Sequence, residues 1–199
     1  MSSPHELEEY IWKFIGKGKS VLDIGTGLGK NAYIIRIYKQ PKSLIGIDMF
    51  LPHLKICKFH KIYDNVVLST ASILPFASGS FDVVIATEII GHMEKGIATK
   101  MLEEAERVAT EKIIVSTPNH AKRQECFNLN PWEARLSSWS VNDFRKRCYK
   151  VFGIGFGSYT FEARFGRIAY FLEMFFRPLG LLFPILSKEL VAVKEKSIG

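Results

Sequence analysis

The chain has 199 residues, of which 47% are hydrophobic and 24% are charged, and its formal net charge at pH 7 is +7. This composition is ordinary for a globular protein, so it excludes a disordered or low-complexity chain, and the length suits one substantial core. We therefore expect a single domain over residues 1–199.

The local charge and the cysteines indicate which partners and which cellular compartment to expect. Residues 120–150 hold seven Lys or Arg against three acids, but such a run more often marks a solvated face, so we expect no nucleic-acid partner. Cys57, Cys126 and Cys148 are widely spaced and form no CxxC pair, which indicates free thiols and no metal site. Acidic residues stand near the start, where a secretory signal would be basic and then apolar. These observations predict a cytoplasmic protein.

Helix and strand patterns alternate through the first half of the chain. Ser3 and Pro4 suit the start of a leading helix that we expect to end near Ile15. The elements expected next are a strand over residues 21–24, a glycine turn, a helix closed by Pro41, a strand over 43–47, a helix over 51–63, and strands over 66–69 and 81–86. Strands that alternate with helices predict an α/β fold, with a parallel sheet covered on both faces.

The second half begins with one clear helix and then becomes less regular. Apolar residues recur at intervals of three and four over residues 97–108, which predicts a helix before a strand at 112–116. After a loop, Ser140 is suited to cap a helix that ends near Cys148. Two closing strands, at residues 149–154 and 189–194, flank an apolar and aromatic insertion at about residues 159–186.

The stretch VLDIGTGLGK carries the clearest functional signal. Its glycines, Gly25, Gly27 and Gly29, follow the spacing GxGxG, which misses the dinucleotide fingerprint GxGxxG by one residue. Asp23 stands two residues before Gly25, where a carboxylate would repel a pyrophosphate but could accept hydrogen bonds from a ligand ammonium group. Asp48, at the tip of the next strand, suits the two hydroxyls of a ribose. The expected ligand is therefore a nucleoside that carries an amino acid.

Four motifs in this order and spacing carry a family resemblance over about residues 20–119: VLDIGTGLGK, LIGIDMF, ILPFASGSFDVVIATEIIGHM and IIVSTPN. They resemble the class I S-adenosylmethionine-dependent methyltransferases, in particular the small single-domain branch with an LPF…FDVV signature. The resemblance implies a Rossmann-like three-layer sandwich, with a seven-stranded, mostly parallel sheet whose last strand is antiparallel.

The resemblance also implies which residues bind S-adenosylmethionine and its product S-adenosylhomocysteine. In that family the glycine turn faces the methionine part, the acid at Asp48 binds the ribose, and Met49 packs on the adenine. The family's acid for the adenine amine is replaced here by Thr70, so the backbone of Ala71 is expected to take part of its role. The implied cofactor set is Asp23, Gly25, Gly27, Gly29, Asp48, Met49, Thr70, Ala71 and Thr87. Each of these residues also has a structural interpretation. The three glycines could serve the turn alone, Asp48 could cap the following helix, and Asp23 could be a structural carboxylate.

The acceptor side is less clear from the sequence. His92 and, more weakly, His120 are candidate general bases, because the pKa of histidine lies near neutrality. Glu88 is expected either to shape the same rim or to hold the loop by hydrogen bonds. Enzymes that methylate amines of nucleic-acid bases typically carry Asn-Pro-Pro-aromatic where this chain has Thr-Glu-Ile-Ile, so we expect a small acceptor, apolar or amphipathic. Trp132 and Trp139 suit a lid and packing equally well.

The sequence allows more than one role for the insertion at residues 159–186 and more than one function for the protein. Charged residues interrupt the insertion, so its uncharged stretches are too short to cross a membrane. It could form a lid over an apolar substrate, pack in the core or a homodimer, or contact a membrane surface. For the whole protein, the alternative to an enzyme is a non-catalytic S-adenosylmethionine-binding partner or activator of another enzyme. A dehydrogenase is disfavoured by the GxGxG spacing.

Overall fold

The computed structural model describes residues 5–119, 130–157, 175–176 and 179–196. The main helices in these ranges are α1 (His5–Lys13), α2 (Lys30–Lys39), α3 (Leu51–Phe59), α4 (Lys95–Val108) and α5 (Val141–Arg145), and residues 175–176 and 179–182 are also helical. The strands are β1 (Ser20–Ile24), β2 (Ser43–Asp48), β3 (Asn65–Leu68), β4 (Phe81–Thr87), β5 (Ala109–Pro118), β6 (Lys150–Ile154) and β7 (Glu189–Glu195).

The seven strands form one sheet in the order β3-β2-β1-β4-β5-β7-β6. Strands β1 to β5 pair in parallel, whereas β7 is antiparallel to both β5 and β6. This topology confirms the predicted mostly parallel sheet with an antiparallel last strand. The strand order reverses direction between β1 and β4, and the crevice at the carboxyl ends of such strands is where open α/β sheets bind ligands.

Helices cover the sheet on both faces because successive strand residues point to opposite sides. In β1, Leu22 packs in a buried cluster with Met101 of α4 and Phe144 of α5. Its neighbour Val21 belongs to a second cluster on the opposite face, with Leu7 of α1. Two apolar cores therefore enclose the sheet, which confirms the predicted three-layer sandwich.

Three predicted elements have different bounds in the structure. The helix expected over residues 51–63 ends at Phe59, because Lys61 adopts φ 53° and turns the chain so that Tyr63 points into the core. The capping box at Ser140 is present, with Asp143 as its partner, but α5 ends at Arg145 and Cys148 adopts φ 64°. Strand β5 is longer than expected at both ends, because Ala109 pairs with Phe81 of β4 and the pairing with β7 continues to Pro118.

The described end of the insertion lies at the carboxyl end of β5. The side-chain amide of Asn119 donates hydrogen bonds to the carbonyls of Pro184, Ile185 and Ser187 at 2.9–3.2 Å. Residues 177–178 and the residues of the insertion before Phe175 lie outside the described residues. None of the helices in the described ranges has the length and apolar character needed to span a bilayer.

Candidate active site

The glycine turn joins β1 to α2 and has the backbone that only glycine adopts at little cost. The φ angles of Gly25, Gly27 and Gly29 are 79°, 48° and 84°. The N–H groups of Gly25 and Thr26 donate to the carbonyl of Ile47 at 2.8 and 3.1 Å, which fastens the turn to the end of β2. A Cβ atom added at Gly27 would meet no atom within 4 Å. The turn therefore has open space on the side of its middle glycine.

Asp23 is completely buried at the end of β1 and is only half satisfied. The hydroxyl of Tyr63 donates a hydrogen bond of 2.6 Å to its Oδ2 atom, whereas its Oδ1 atom is buried without a partner. Burial raises the pKa of Asp23 to about 7, although the hydrogen bond from Tyr63 opposes this shift. A buried polar atom without a partner is costly, so Oδ1 is a place where a cationic ligand group would be stabilised.

Asp48 fastens the middle of the glycine turn. Its Oδ2 atom accepts hydrogen bonds from the N–H of Gly27 at 3.0 Å and from the hydroxyl of Thr26 at 3.3 Å. Its Oδ1 atom accepts one from the N–H of Phe50 at 2.8 Å, and Nδ1 of His53 lies 3.4 Å from Oδ2. Asp48 therefore does not act as the side-chain N-cap of α3, whose N-cap residue is Phe50. The sequence did not predict its contact with the turn.

The predicted adenine-side residues lie beyond the ends of β2 and β3. Met49 is 43% exposed, Ala71 is buried, and Thr70 is half-buried. The Oγ1 atom of Thr70 is already engaged by Ser72, whose hydroxyl lies 3.1 Å away and whose N–H donates at 3.4 Å. Parallel pairing of Asp48 with Leu68 brings these positions to one edge of the sheet.

The end of β4 supplies the opposite wall of the crevice. Thr87 is buried and accepts a hydrogen bond from the side-chain amide of Asn31, in the first turn of α2. Glu88 follows with φ 58°, and its N–H donates to the carbonyl of Ser116 at 3.1 Å and to the hydroxyl of Ser116 at 3.2 Å. The Ser116 hydroxyl donates to Oε1 of Glu88 at 3.0 Å. Burial raises the pKa of Glu88, while Ser116 and Arg135 oppose the shift.

His92 lies four residues further, in a short 3-10 helix over Ile90–His92. Its Nδ1 atom is 3.2 Å from the carbonyl of Ala134, and burial together with the nearby Arg135 guanidinium lowers its pKa. The imidazole is therefore neutral at pH 7, with Nδ1–H as the donor. The other candidate base, His120, lies outside the described residues.

Sequence reasoning missed Arg135, whose only signal was its place in the basic stretch at residues 120–150. A Cβ atom at Gly91 would lie 2.5 Å from Nη1 of Arg135, so the guanidinium packs directly on the backbone of Gly91. The N–H groups of Leu136 and Ser137 both donate to the carbonyl of Gly91, at 2.9 and 3.0 Å. This segment therefore closes over the 3-10 helix after β4.

The two tryptophans have different environments. Trp139 is buried, its ring centroid lies 5.3 Å from that of Phe144, and the Lys95 ammonium lies 4.0 Å from its ring. Trp139 therefore serves packing. Trp132 is 53% exposed, so the structure leaves both of its alternatives open. No cluster of three or more potential metal-ligating side chains occurs in the described part of the chain.

A groove of about 370 Å³ runs between α5 and the described end of the insertion. Arg145 and Asn142 line one side, and Leu182, Phe183 and Ile185 line the other. Because Asn119 ties residues 184–187 to the end of β5, the groove lies toward the carboxyl edge of the sheet. The space available there is mainly apolar, with one cationic side chain.

Comparison with known proteins identifies the domain. A family described as a methyltransferase domain matches residues 15–152, which is more than half of the chain. Erythromycin 3''-O-methyltransferase from Saccharopolyspora erythraea is 30% identical over 86 residues, covering 40% of this chain and 28% of that protein. The matched stretch spans only about a third of the length of the curated relatives.

Solved structures share the fold at low sequence identity. A SAM-dependent methyltransferase from Archaeoglobus fulgidus superposes with a TM-score of 0.66 at 16% identity, over 98% of this chain and 95% of that one. A putative methyltransferase in a complex with the Haloferax volcanii Trm112 methyltransferase activator gives 0.62 at 18% identity, over 94% and 90%. These likenesses confirm the Rossmann-like methyltransferase fold.

Proposed function

Because the chain belongs to the methyltransferase domain family, we propose that it binds S-adenosylmethionine at the glycine turn and methylates a small acceptor. The single observation that carries this proposal is the buried, unpartnered Oδ1 atom of Asp23 beside the open turn. The ligand's ammonium group, acting directly or through water, would satisfy that oxygen. The residues therefore fit the cofactor that the family implies.

We assign the other cofactor contacts as follows. Asp48 still has lone pairs beyond its bonds to the turn, so it can accept hydrogen bonds from ribose hydroxyls while it holds Gly27 in place. The remaining residues of the proposed set are Gly25, Gly29, Met49, Thr70, Ala71 and Thr87. Because Thr70 is engaged by Ser72, the backbone of Ala71 carries more of the adenine contact than the Thr70 hydroxyl does.

The bound cofactor supplies a sulfonium-activated methyl group, so the protein's main task is to position the acceptor and exclude water. His92, whose pKa is lowered, is neutral and available at the rim, and His120 stays a weaker candidate. The acceptor we propose is small and apolar or amphipathic, in keeping with the apolar groove beside residues 182–185. A lid role for residues 159–186 is our preferred interpretation; homodimer packing and membrane contact are the alternatives. We also keep the cytoplasm as the proposed compartment.

A second candidate is a non-catalytic cofactor-binding partner or activator of another enzyme. The Haloferax volcanii complex, in which a methyltransferase is bound to an activator, is compatible with a protein partner here but does not favour it over catalysis. Two measurements separate the candidates. Calorimetry with S-adenosylmethionine and S-adenosylhomocysteine tests binding, and formation of S-adenosylhomocysteine with fractionated extracts tests turnover. Binding without turnover in any fraction would favour the non-catalytic partner, and no binding by folded protein would refute both.

A further inference from the structure

In the chain, Glu88 stands between Thr87 and Ile89, whose side chains join the end of β4 to the glycine turn and to the helix that follows it. On one side, Thr87 accepts a hydrogen bond from Asn31 of α2. On the other, the Cδ1 atom of Ile89 is so close to Gly25 that an added Cβ atom would lie 2.5 Å away. One chain neighbour of Glu88 therefore contacts the glycine turn and the other contacts the first turn of α2, which places the backbone of Glu88 beside the crevice between β1 and β4.

The backbone of Glu88 has a positive φ angle although Glu88 does not follow the end of a helix. The other described non-glycine residues with positive φ are Gln40, Lys61 and Cys148, and each follows the end of a helix. Glu88 instead follows a buried strand and is held at φ 58° by the two hydrogen bonds that its N–H donates to Ser116. Strain of this kind, retained where no local motif needs it, is concentrated at functional sites.

The two oxygens of Glu88 have different surroundings. Oε1 accepts a hydrogen bond of 3.0 Å from the hydroxyl of Ser116, which orients the carboxyl group. Within the described residues Oε2 accepts no hydrogen bond, and the charged group that acts on the carboxylate is the guanidinium of Arg135. Burial raises the pKa of Glu88, which suits a base that works near neutral pH better than an exposed carboxylate would.

We propose that Oε2 of Glu88 contacts the methyl acceptor and takes the proton from its reacting hydroxyl group; this assignment rests on the proposed function. The acceptor oxygen forms a bond to the methyl carbon while the carbon–sulfur bond of the sulfonium donor breaks, and that electron pair stays on sulfur as a neutral thioether. The hydroxyl proton passes to Oε2 and then to solvent. The substrate class is therefore a small molecule with a hydroxyl group, methylated on oxygen.

Glu88 is better placed for this role than His92. The imidazole of His92 is oriented by the Ala134 carbonyl, and the charged residues around it are Glu133 and Arg135. Arg135 acts on both groups, but the chain neighbours of Glu88 contact Gly25 of the glycine turn and Asn31 of α2. His92 is left to shape the rim of the acceptor site.

The first test needs no acceptor. The pKa of Glu88 is measured by NMR in protein labelled with 13C at the glutamate carboxyl groups, saturated with S-adenosylmethionine or with S-adenosylhomocysteine. The two ligands differ by the methyl group and the positive charge on sulfur, and an opposite charge within about 4–6 Å lowers the pKa of a carboxyl by about one unit or more. We expect a lower pKa in the S-adenosylmethionine complex for Glu88 and no difference for exposed Glu103. Equal values for Glu88 in two saturated complexes would overturn the inference, whereas failure of both ligands to bind would refute the proposed function instead.

The second test compares Glu88→Gln with Glu103→Gln, using a panel of small apolar alcohols and phenols as probe acceptors. Glutamine keeps an oxygen for the Ser116 bond but cannot take up a proton. We expect kcat for O-methylation to fall by about a hundredfold or more in Glu88→Gln, with unchanged affinity for S-adenosylhomocysteine and loss of the pH dependence of kcat. The Glu103 variant should match the wild type. Wild-type kcat in Glu88→Gln would overturn the assignment, as would a loss of cofactor affinity equal to the loss of turnover.

Discussion

Tyr63 and Asp23, forty residues apart in the chain, share a buried hydrogen bond of 2.6 Å at the end of β1. It leaves the other oxygen of Asp23 buried and unpartnered, and burial raises the pKa of Asp23 to about 7. In the unfolded chain the carboxyl group loses its proton near pH 4, whereas in the folded chain it keeps its proton up to about pH 7. Asp23 is therefore a source of instability in the free protein.

The first prediction follows from this linkage. Between about pH 4 and pH 7 the folded state binds more protons than the unfolded state, so Asp23 lowers the free energy of unfolding by up to about 1.4 kcal/mol for each pH unit of rise. Asp23→Asn should remove this contribution and gain stability over the wild type as the pH rises, while it loses cofactor affinity. Urea unfolding of both proteins at pH 5 and pH 8 measures the difference. A constant difference across that range would contradict the assigned pKa.

The second prediction concerns the open space at Gly27. A valine there should abolish cofactor binding, because its side chain would occupy the space next to the turn. Gly18→Val is a matched control, since Gly18 also has positive φ, at 67°, and also has no atom within 4 Å of an added Cβ. Valine at either position strains the backbone by a similar amount because φ is positive, but only Gly27→Val should prevent binding. Equal binding losses in both variants would show that backbone strain, and not the lost space, is the cause.

Wild-type protein should gain about 2.7 kcal/mol of stability at a hundredfold excess of ligand over Kd.

The third prediction separates the two roles of Asp48. Asp48→Ala should lower cofactor affinity by about 2 kcal/mol, because it removes hydrogen bonds to ribose hydroxyls and frees the N–H of Gly27. Asp64→Ala is the control, since Asp64 accepts a 2.7 Å bond from the N–H of Leu44, near the amino end of the same strand. Calorimetric titration of both variants gives the comparison. If Asp48→Ala loses stability but binds the cofactor as the wild type does, Asp48 only holds the turn.

The fourth prediction tests the insertion as a lid. Leu182 and Phe175 are 70% and 73% exposed, and Leu182 lines the apolar groove. Burying such a side chain against a substrate is worth about 1.5 to 3 kcal/mol, so Leu182→Ser and Phe175→Ser should raise KM for the acceptor about tenfold or more. Phe59→Ser, on the 80% exposed Phe59 of α3, should leave turnover unchanged.

The same variants distinguish the alternatives for the insertion. A lid requires that cofactor affinity and melting temperature stay close to those of the wild type. A lower melting temperature or dissociation of an oligomer would instead indicate core or homodimer packing. Binding to anionic liposomes by the wild type, lost in the two variants, would indicate membrane contact.

Several features of this protein are determined by local sequence. The glycine spacing behind Asp23 predicts a turn with positive φ, because only glycine reaches that region at low cost, and all three glycines adopt it. The apolar periodicity of α4 and the capping box at Ser140 are likewise local, since they depend on residues three or four apart. Alternation of strands and helices was enough to predict the α/β sheet, and four motifs in order carried the resemblance to the family. The single-domain interpretation of residues 1–199 stays a prediction.

Only the tertiary structure decided the contacts that give the site its chemistry. The bond from Tyr63 to Asp23 depends on where α3 ends, and a helical pattern that continues to Tyr63 hides that ending. The strained backbone of Glu88 depends on how β4 and β5 align beside Ser116, and side-chain patterns do not report φ for a non-glycine residue. Strand alignment brings together residues that are tens of positions apart, so their partners and pKa values follow from packing and not from sequence spacing.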